Sequence, residues 1–347
     1  MATEKKILQD VVLLRPLAIL LIVIYHSFII YMHAWDAPVA FQDIKAYWWI
    51  AKFAISFSLE LFVFFSGYIY YLQCSSKGNN TLSLIKNKFR RLYIPAIVFS
   101  VAYMLLFYRD KSLSCLEIIQ YLITGAGHLW YLPMLFGVFL FASLLLKLPD
   151  TLFKCMFIAL ACLAAIIQTI HLPLNLSFVL YYTPFFLLGY EINKYRHIVL
   201  RKCVNTQNIV ITVIMYFLLF IICNYTKEYI DNNEVEMFQF VLPIVKVMVK
   251  VVHLIVAFLG IIVCYIVVNK YLIGGGVPAC FKNLNENCFG VYLFQQFILM
   301  FIYYHTPLSQ MVSPYILPLI ALLITITSSY LLTFLFRKSK VGRLLIG

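Results

Sequence analysis

The sequence predicts an all-α polytopic membrane protein with about ten transmembrane helices and both termini on the cytoplasmic side. Three observations predict it. Hydrophobic residues make up 63% of the 347 residues and charged residues 12%, against roughly 25% charged in soluble domains, and the mean hydropathy is +0.92. The apolar residues gather in runs long enough to cross a hydrocarbon core of about 30 Å. The basic residues are shared unevenly among the connections between those runs. No hydrophilic stretch is long enough for a separate soluble domain, so residues 1–347 are expected to form one domain.

Spans are expected near 11–32, 48–72, 91–108, 128–147, 152–171, 174–193, 208–224, 240–268, 286–305 and 313–336. The first run is longer than a signal-peptide core of about 7–15 residues and lacks a small-residue cleavage site, so it is expected to stay as an anchor. Gly274 to Pro278 marks a flexible turn before the ninth span. Alternate connections carry the clusters Lys86, Lys88, Arg90, Arg91, then Lys194, Arg196, Arg201, Lys202, then Arg337, Lys338, Lys340, Arg343. The intervening ones carry little beyond Lys45, Arg109, Lys111 and Lys227. Cytoplasmic loops keep the excess of lysine and arginine, which places both termini inside and makes the span number even. The net charge of +13 therefore reads as membrane topology, with membrane lipid as the surroundings, and not as nucleic-acid binding. The nine cysteines show no Cys-x-x-Cys and mostly lie in or beside apolar runs, where they act as small hydrophobes. No metal site or disulfide framework is expected.

Ionisable residues inside apolar runs face protein or a water-filled cavity, so they nominate the site. The first span holds Arg15 and His26. Eleven residues apart, they share one helix face about 16 Å apart along the axis. Ala18, Ile19 and Ile22 make the strip between them apolar and narrow. The second span carries Glu60 in Ser58-Leu-Glu-Leu-Phe-Val-Phe-Phe-Ser-Gly67, with Ser56, Glu60 and Gly67 on one face of a continuous helix. Glu60 is either a functional carboxylate or one that neutralises an arginine and holds helices together. Lys88, Arg90 and Arg91 stand at the entrance of the third span, suited to phosphates or to plain cytoplasmic anchoring. The fourth span opens with Gly127-His128-Leu-Trp-Tyr-Leu-Pro133. By the charge topology His128 and His26 both belong to the outer half, although His128 also suits an interfacial aromatic belt. His171 and His305 fall at outer span edges and His33 in the first outer loop, where exposure accounts for them. In the eighth span Lys246, Lys250, His253, Ala257 and Gly260 share a face, either lining a cavity or letting Lys246 snorkel.

Leu14-Arg15, Ala18, Ile22 and His26 resemble the opening helix of the membrane acyltransferase family 3. Glu60 before Ser66-Gly67, Lys88 and Arg91 before Pro95, His128-Leu-Trp130, and Phe289-Gly-Val-Tyr-Leu293 resemble further stretches of that family in the same order. Three positions depart from it: Val12 replaces a frequent carboxylate, with Asp10 two residues upstream; Pro16 replaces a small residue; and Gln295 replaces a usual histidine. A glutamine orients and hydrogen-bonds but is no base.

The resemblance implies a membrane O-acyltransferase of the cell (inner) membrane. It would move an acyl group, acetyl foremost, from cytoplasmic acyl-CoA to a hydroxyl of a cell-surface glycan or lipid-linked sugar at the outer face. His26 suits the general base, with Glu60 or His128 as orienting partners, and Arg15, Lys88, Arg90 and Arg91 would hold the donor. A polysaccharide or lipid-linked sugar exporter is the alternative. Its signature of paired discontinuous helices or an internal repeat is not visible in the sequence. A third reading is a scaffold whose buried polar residues only specify helix packing.

Overall fold

The computed structural model describes residues 9–36, 41–77, 81–109, 111–170, 172–233, 241–273 and 276–346. Among the described residues all regular elements are helical. In chain order they are α1 (Gln9–Ser27), α2 (Lys45–Ile55), α3 (Ser58–Lys77), α4 (Thr81–Lys88), α5 (Ile94–Phe107), α6 (Cys115–Thr124), α7 (Tyr131–Leu145) and α8 (Asp150–Ile167). There follow α9 (Leu176–Lys194), α10 (Arg196–Cys203), α11 (Thr206–Asn233), α12 (Val241–Val267), α13 (Ala279–Met300), α14 (Leu308–Met311), α15 (Leu317–Lys338) and α16 (Lys340–Ile346). His171, and residues 274 and 275 of the expected turn, lie outside the described residues.

Nine stretches among the described residues are helical, long and apolar enough to cross a membrane, and each coincides with an expected span. The tenth expected span is α9. At 19 residues it is as long as α1, about 28 Å, but it carries Thr183, Glu191 and Asn193 and is less apolar. It packs against both α7 and α8 and buries Tyr181, Thr183, Phe185, Phe186 and Asn193. Polar side chains that meet protein rather than lipid do not carry the cost that lipid imposes.

The second span differs from the expected continuous helix. Ser56 and Phe57, between α2 and α3, form a turn, although Ser56 keeps right-handed helical φ/ψ and its N–H donates to the Lys52 carbonyl at 3.1 Å. The Ser56 hydroxyl donates to the Phe53 carbonyl at 2.8 Å and lies 2.9 Å from the Tyr216 hydroxyl. A serine that bonds nearby backbone offers the chain an alternative to the helical ladder.

The helices form two compact units, Met1–Phe65 with Tyr195–Tyr330, and Ser66–Lys194 with Leu331–Gly347. In the first, α1 packs along α13 and α2, and α11 along α12. Two hydrogen bonds set α1 and α13 as parallel neighbours: Arg15 Nη1 donates to Asn285 Oδ1 at 3.3 Å, and at the end of α1 the Ser27 carbonyl accepts from the hydroxyl of Tyr303, in the π-helical turn that follows α13. Phe28, Ile29, Tyr31, Ala51, Leu299, Ile302, Tyr303 and Ala321 form a core beyond the C-terminal end of α1. A fully buried side chain of this size contributes about 1.5–3 kcal/mol. The Tyr31 hydroxyl also donates to the Pro314 carbonyl, tying the segment after α1 to the segment before α15.

In the second unit α9 is held by backbone proximity. A Cβ added at Gly67 would stand 1.9 Å from the Phe186 carbonyl oxygen, so only glycine admits α9 at that point. One turn further on, Tyr70, Phe139 and Phe186 join edge to face and tilted, with centroids 4.9–5.6 Å apart. The Asn193 side chain donates to the Tyr68 carbonyl at 2.6 Å.

Candidate active site

Helix α1 carries the two residues that nominate the first unit. Pro16 lies inside it and is buried. Proline has no N–H, so the carbonyl four residues back loses its helical donor, yet the helix continues to Ser27. The helical geometry keeps Arg15 and His26 on one face, and both are half-buried while Ala18, Ile19 and Ile22 between them are buried. The expected narrow apolar strip is therefore closed by packing.

His26 Nδ1 lies 3.0 Å from the Ile22 carbonyl oxygen. A carbonyl only accepts, so Nδ1 is the protonated nitrogen and donates. In the neutral ring Nε2 then keeps its lone pair. The imidazole is thus oriented by backbone one turn below. Around it stand the rings of Tyr25 at 4.8 Å and Trp35 at 6.2 Å between centroids.

Arg15 meets a neutral amide, Asn285. The nearby carboxylate of Asp10 is fully buried and is held by Arg196, whose Nε and Nη2 donate to Oδ2 at 3.3 and 3.2 Å, while the Val11 N–H donates to Oδ1 at 2.9 Å. Charge-assisted bonds of this kind are about twice as strong as neutral ones. Arg196 thereby compensates the buried charge that Asp10 brings to the start of α1. Glu60 is buried in the first turn of α3, directly after the turn at Ser56 and Phe57.

The second unit carries the other candidates. His128 lies in a one-turn 3-10 helix, Gly127–Trp130, that opens the fourth span. It is buried, with its ring 6.2 Å from that of Tyr103. The turn is set by Gly125 and Gly127, both with positive φ, and by the Ala126 N–H donating to Ser100 Oγ at 3.0 Å. At Gly127 a Cβ would meet the Tyr103 ring at 2.6 Å. Lys88 ends α4, and its ammonium lies 4.2 Å from the centroid of the Phe139 ring. Arg90 and Arg91 follow in a π-helical turn, Phe89–Tyr93, and both are exposed. Two further turns of this kind, Val268–Leu272 and Phe301–His305, occur among the described residues.

Gln295 is fully buried on α13, and among the described residues neither end of its amide has a hydrogen-bond partner. In α12 the expected face runs from exposed Lys246 through half-buried Lys250 and His253 to buried Ala257 and Gly260. That gradient is what a lysine reaching out of a helix end produces.

A family model of the acyltransferase domain, that of acyltransferase family 3, matches residues 9–337. The chain belongs to acyltransferase family 3. It is therefore an enzyme, a membrane acyltransferase that transfers groups other than aminoacyl groups, and a multi-pass membrane protein. No curated protein and no solved structure matches the chain. The neighbours of the candidate residues that the sequence did not single out are Asn285 beside Arg15, Arg196 on Asp10, and Trp35 and the Ile22 carbonyl beside His26. Only the last had a signal, the i−4 spacing on one helix. Asn285 is separated from Arg15 by 270 residues.

Proposed function

We propose that this acyltransferase moves an acetyl group from cytoplasmic acetyl-CoA to a hydroxyl of a cell-surface glycan or lipid-linked sugar, at the outer face of the inner membrane. The observation that carries the reading is the His26 imidazole, half-buried, with its Nδ1–H given to the Ile22 carbonyl. That bond leaves Nε2 as the proton acceptor a hydroxyl needs. The acceptor oxygen attacks the thioester carbonyl carbon while Nε2 takes the hydroxyl proton. The tetrahedral intermediate collapses with cleavage of the C–S bond, and the imidazolium returns its proton to the departing CoA sulfur. A base whose ordinary pKa is near 6.5 serves both directions of this transfer.

In the first unit Arg15 lies on the same helix face as His26 and is a candidate cation for the donor; in the second unit the exposed Arg90 and Arg91 are candidates for its phosphates. Glu60 and His128 are the further candidates for positioning groups. The experiment is direct: purified protein is incubated with labelled acetyl-CoA and candidate glycans, and acceptor-dependent release of CoA is measured. Release that is independent of every glycan, or its absence with every acyl-CoA tried, rejects the reading.

A further inference from the structure

The segment after α1 does not leave the helix end but folds back over it. Ile29–Met32 form a 3-10 turn, and His33, in the left-handed region at φ 53°, closes it with its N–H on the Ile30 carbonyl. The reversal brings Trp35 to His26, with ring centroids 6.2 Å apart and planes 37° apart. Two residues that follow α13 receive it. Tyr303 meets the indole edge-on at 6.3 Å and Tyr304 meets it tilted at 6.2 Å, while the Tyr304 hydroxyl donates to the Asp36 carbonyl at 2.9 Å. The Trp35 side chain is thus fixed from both sides, yet it stays half-buried, and Asp36 beside it is exposed.

A rigid indole with an apolar surface reaching solvent, flanked by an acidic residue and a proton-accepting imidazole, matches a pyranose. One face of such a ring is C–H and its rim is hydroxyl. Amphipathic aromatic side chains give large contact area with little conformational freedom to lose. The spacing limits the pose. Carbon atoms in contact lie about 3.5–4.0 Å apart, so a ring inserted between two others separates them by at least about 7 Å. Centroids 6.2 Å apart leave no room between Trp35 and His26, so the sugar lies on the outward part of the indole and reaches the imidazole by its rim.

We propose that Trp35, carried back onto His26 by the segment after α1, is the platform on which a pyranose ring of the acceptor stacks, presenting one hydroxyl to His26. This rests on the reading of His26 as the base of a glycan acyltransferase. Trp35 is then the acceptor-binding residue, and the chain selects cyclic sugars over acyclic hydroxyl compounds.

The test uses the full chain in detergent and needs no turnover. Methyl glucopyranoside, methyl galactopyranoside and methyl N-acetylglucosaminide are titrated against tryptophan fluorescence and saturation-transfer NMR, with glycerol as the acyclic probe. At least one pyranoside is expected to change the fluorescence of the wild type, and Trp35→Phe to lose that response because Trp48, Trp49 and Trp130 do not report it. Trp35→Ala should weaken the pyranoside about tenfold, with acetyl-CoA affinity unchanged as the check on folding. The proposal is overturned if no pyranoside binds, if glycerol binds equally well, or if Trp35→Phe keeps the fluorescence response. The two readings separate cleanly. Trp35-dependent pyranoside binding together with full transfer by His26→Ala would remove the base and keep the platform; Trp35-independent binding with inactive His26→Ala would do the reverse.

Discussion

The end of α1 and the basic turn before α5 hold their candidate residues in opposite ways. His26 is half-buried, its imidazole fixed by the Ile22 carbonyl and bordered by Tyr25 and Trp35. Arg90 and Arg91 are exposed, presented on a π-helical turn. A group that must transfer a proton needs fixed geometry, because misplacement of an ångström costs about a hundredfold in rate. A group that only gathers phosphate charge works from a flexible, hydrated side chain, at a worth of about 0.2–1 kcal/mol. Substitutions in the two regions should therefore differ in kind as well as in size.

The largest expected effect is directional. In sealed vesicles of known orientation, acetyl-CoA on the cytoplasmic side should label an impermeant sugar acceptor confined to the other side. Labelling only with both substrates on the cytoplasmic side would reject transfer across the membrane, and passage of glycan without acylation would favour an exporter. Next in size is His26→Ala, expected to lower turnover by about 10²–10⁴-fold in protein that still inserts and binds acetyl-CoA. His26→Gln should be equally inactive, since an amide can take the hydrogen-bonded place of the ring but not its proton. A His26→Gln enzyme at more than a tenth of normal turnover would show that the ring is only a spacer.

Arg91→Gln belongs to the other regime. It should raise the Michaelis constant for acetyl-CoA about threefold and leave turnover alone. The difference from wild type should fade as salt is raised, since exposed charges about 10 Å apart are already screened at 0.1 M. An effect on the acceptor constant instead would move the donor phosphates elsewhere.

The spans were legible because lipid imposes its requirement on every residue of a lipid-facing helix. α9 was legible by its length but is less apolar than the rest, since α7 and α8 cover it and excuse Thr183 and Asn193. The turn at Ser56 was not legible: two residues inside an apolar run change neither hydropathy nor length, and the Tyr216 hydroxyl that donates to Ser56 Oγ is 160 residues away. At the site, the shared face of Arg15 and His26 followed from helical periodicity alone. Their surroundings did not. Asn285 and Tyr303 reach α1 through the parallel docking of α13, and Trp35 returns through a turn whose left-handed residue is a histidine, not the glycine that usually announces one.

The smallest expected effect lies within the basic segment itself. Lys88 and Arg91 stand at the same spacing as the paired basic residues of the family, and the sequence treats them as equals. The structure separates them. The Lys88 ammonium sits 4.2 Å from the Phe139 ring centroid, and Phe139 is buried among Tyr70 and Phe186, so the charge is turned towards the helix packing of its own unit. Arg91 is exposed. A cation held over an aromatic face is worth about 0.5–1 kcal/mol at a partly exposed site, and reaching for a phosphate would forfeit that contact. Lys88→Gln should then leave the Michaelis constant for acetyl-CoA within about 1.5-fold of wild type while lowering thermal stability slightly, by about 0.5–1 kcal/mol. Arg91→Gln should do the opposite, shifting the donor constant with stability unmoved. Thermal melts and donor kinetics on the two variants decide it: if Lys88→Gln weakens the donor as much as Arg91→Gln, the ammonium leaves the ring when the donor arrives, and the two residues act as a pair after all.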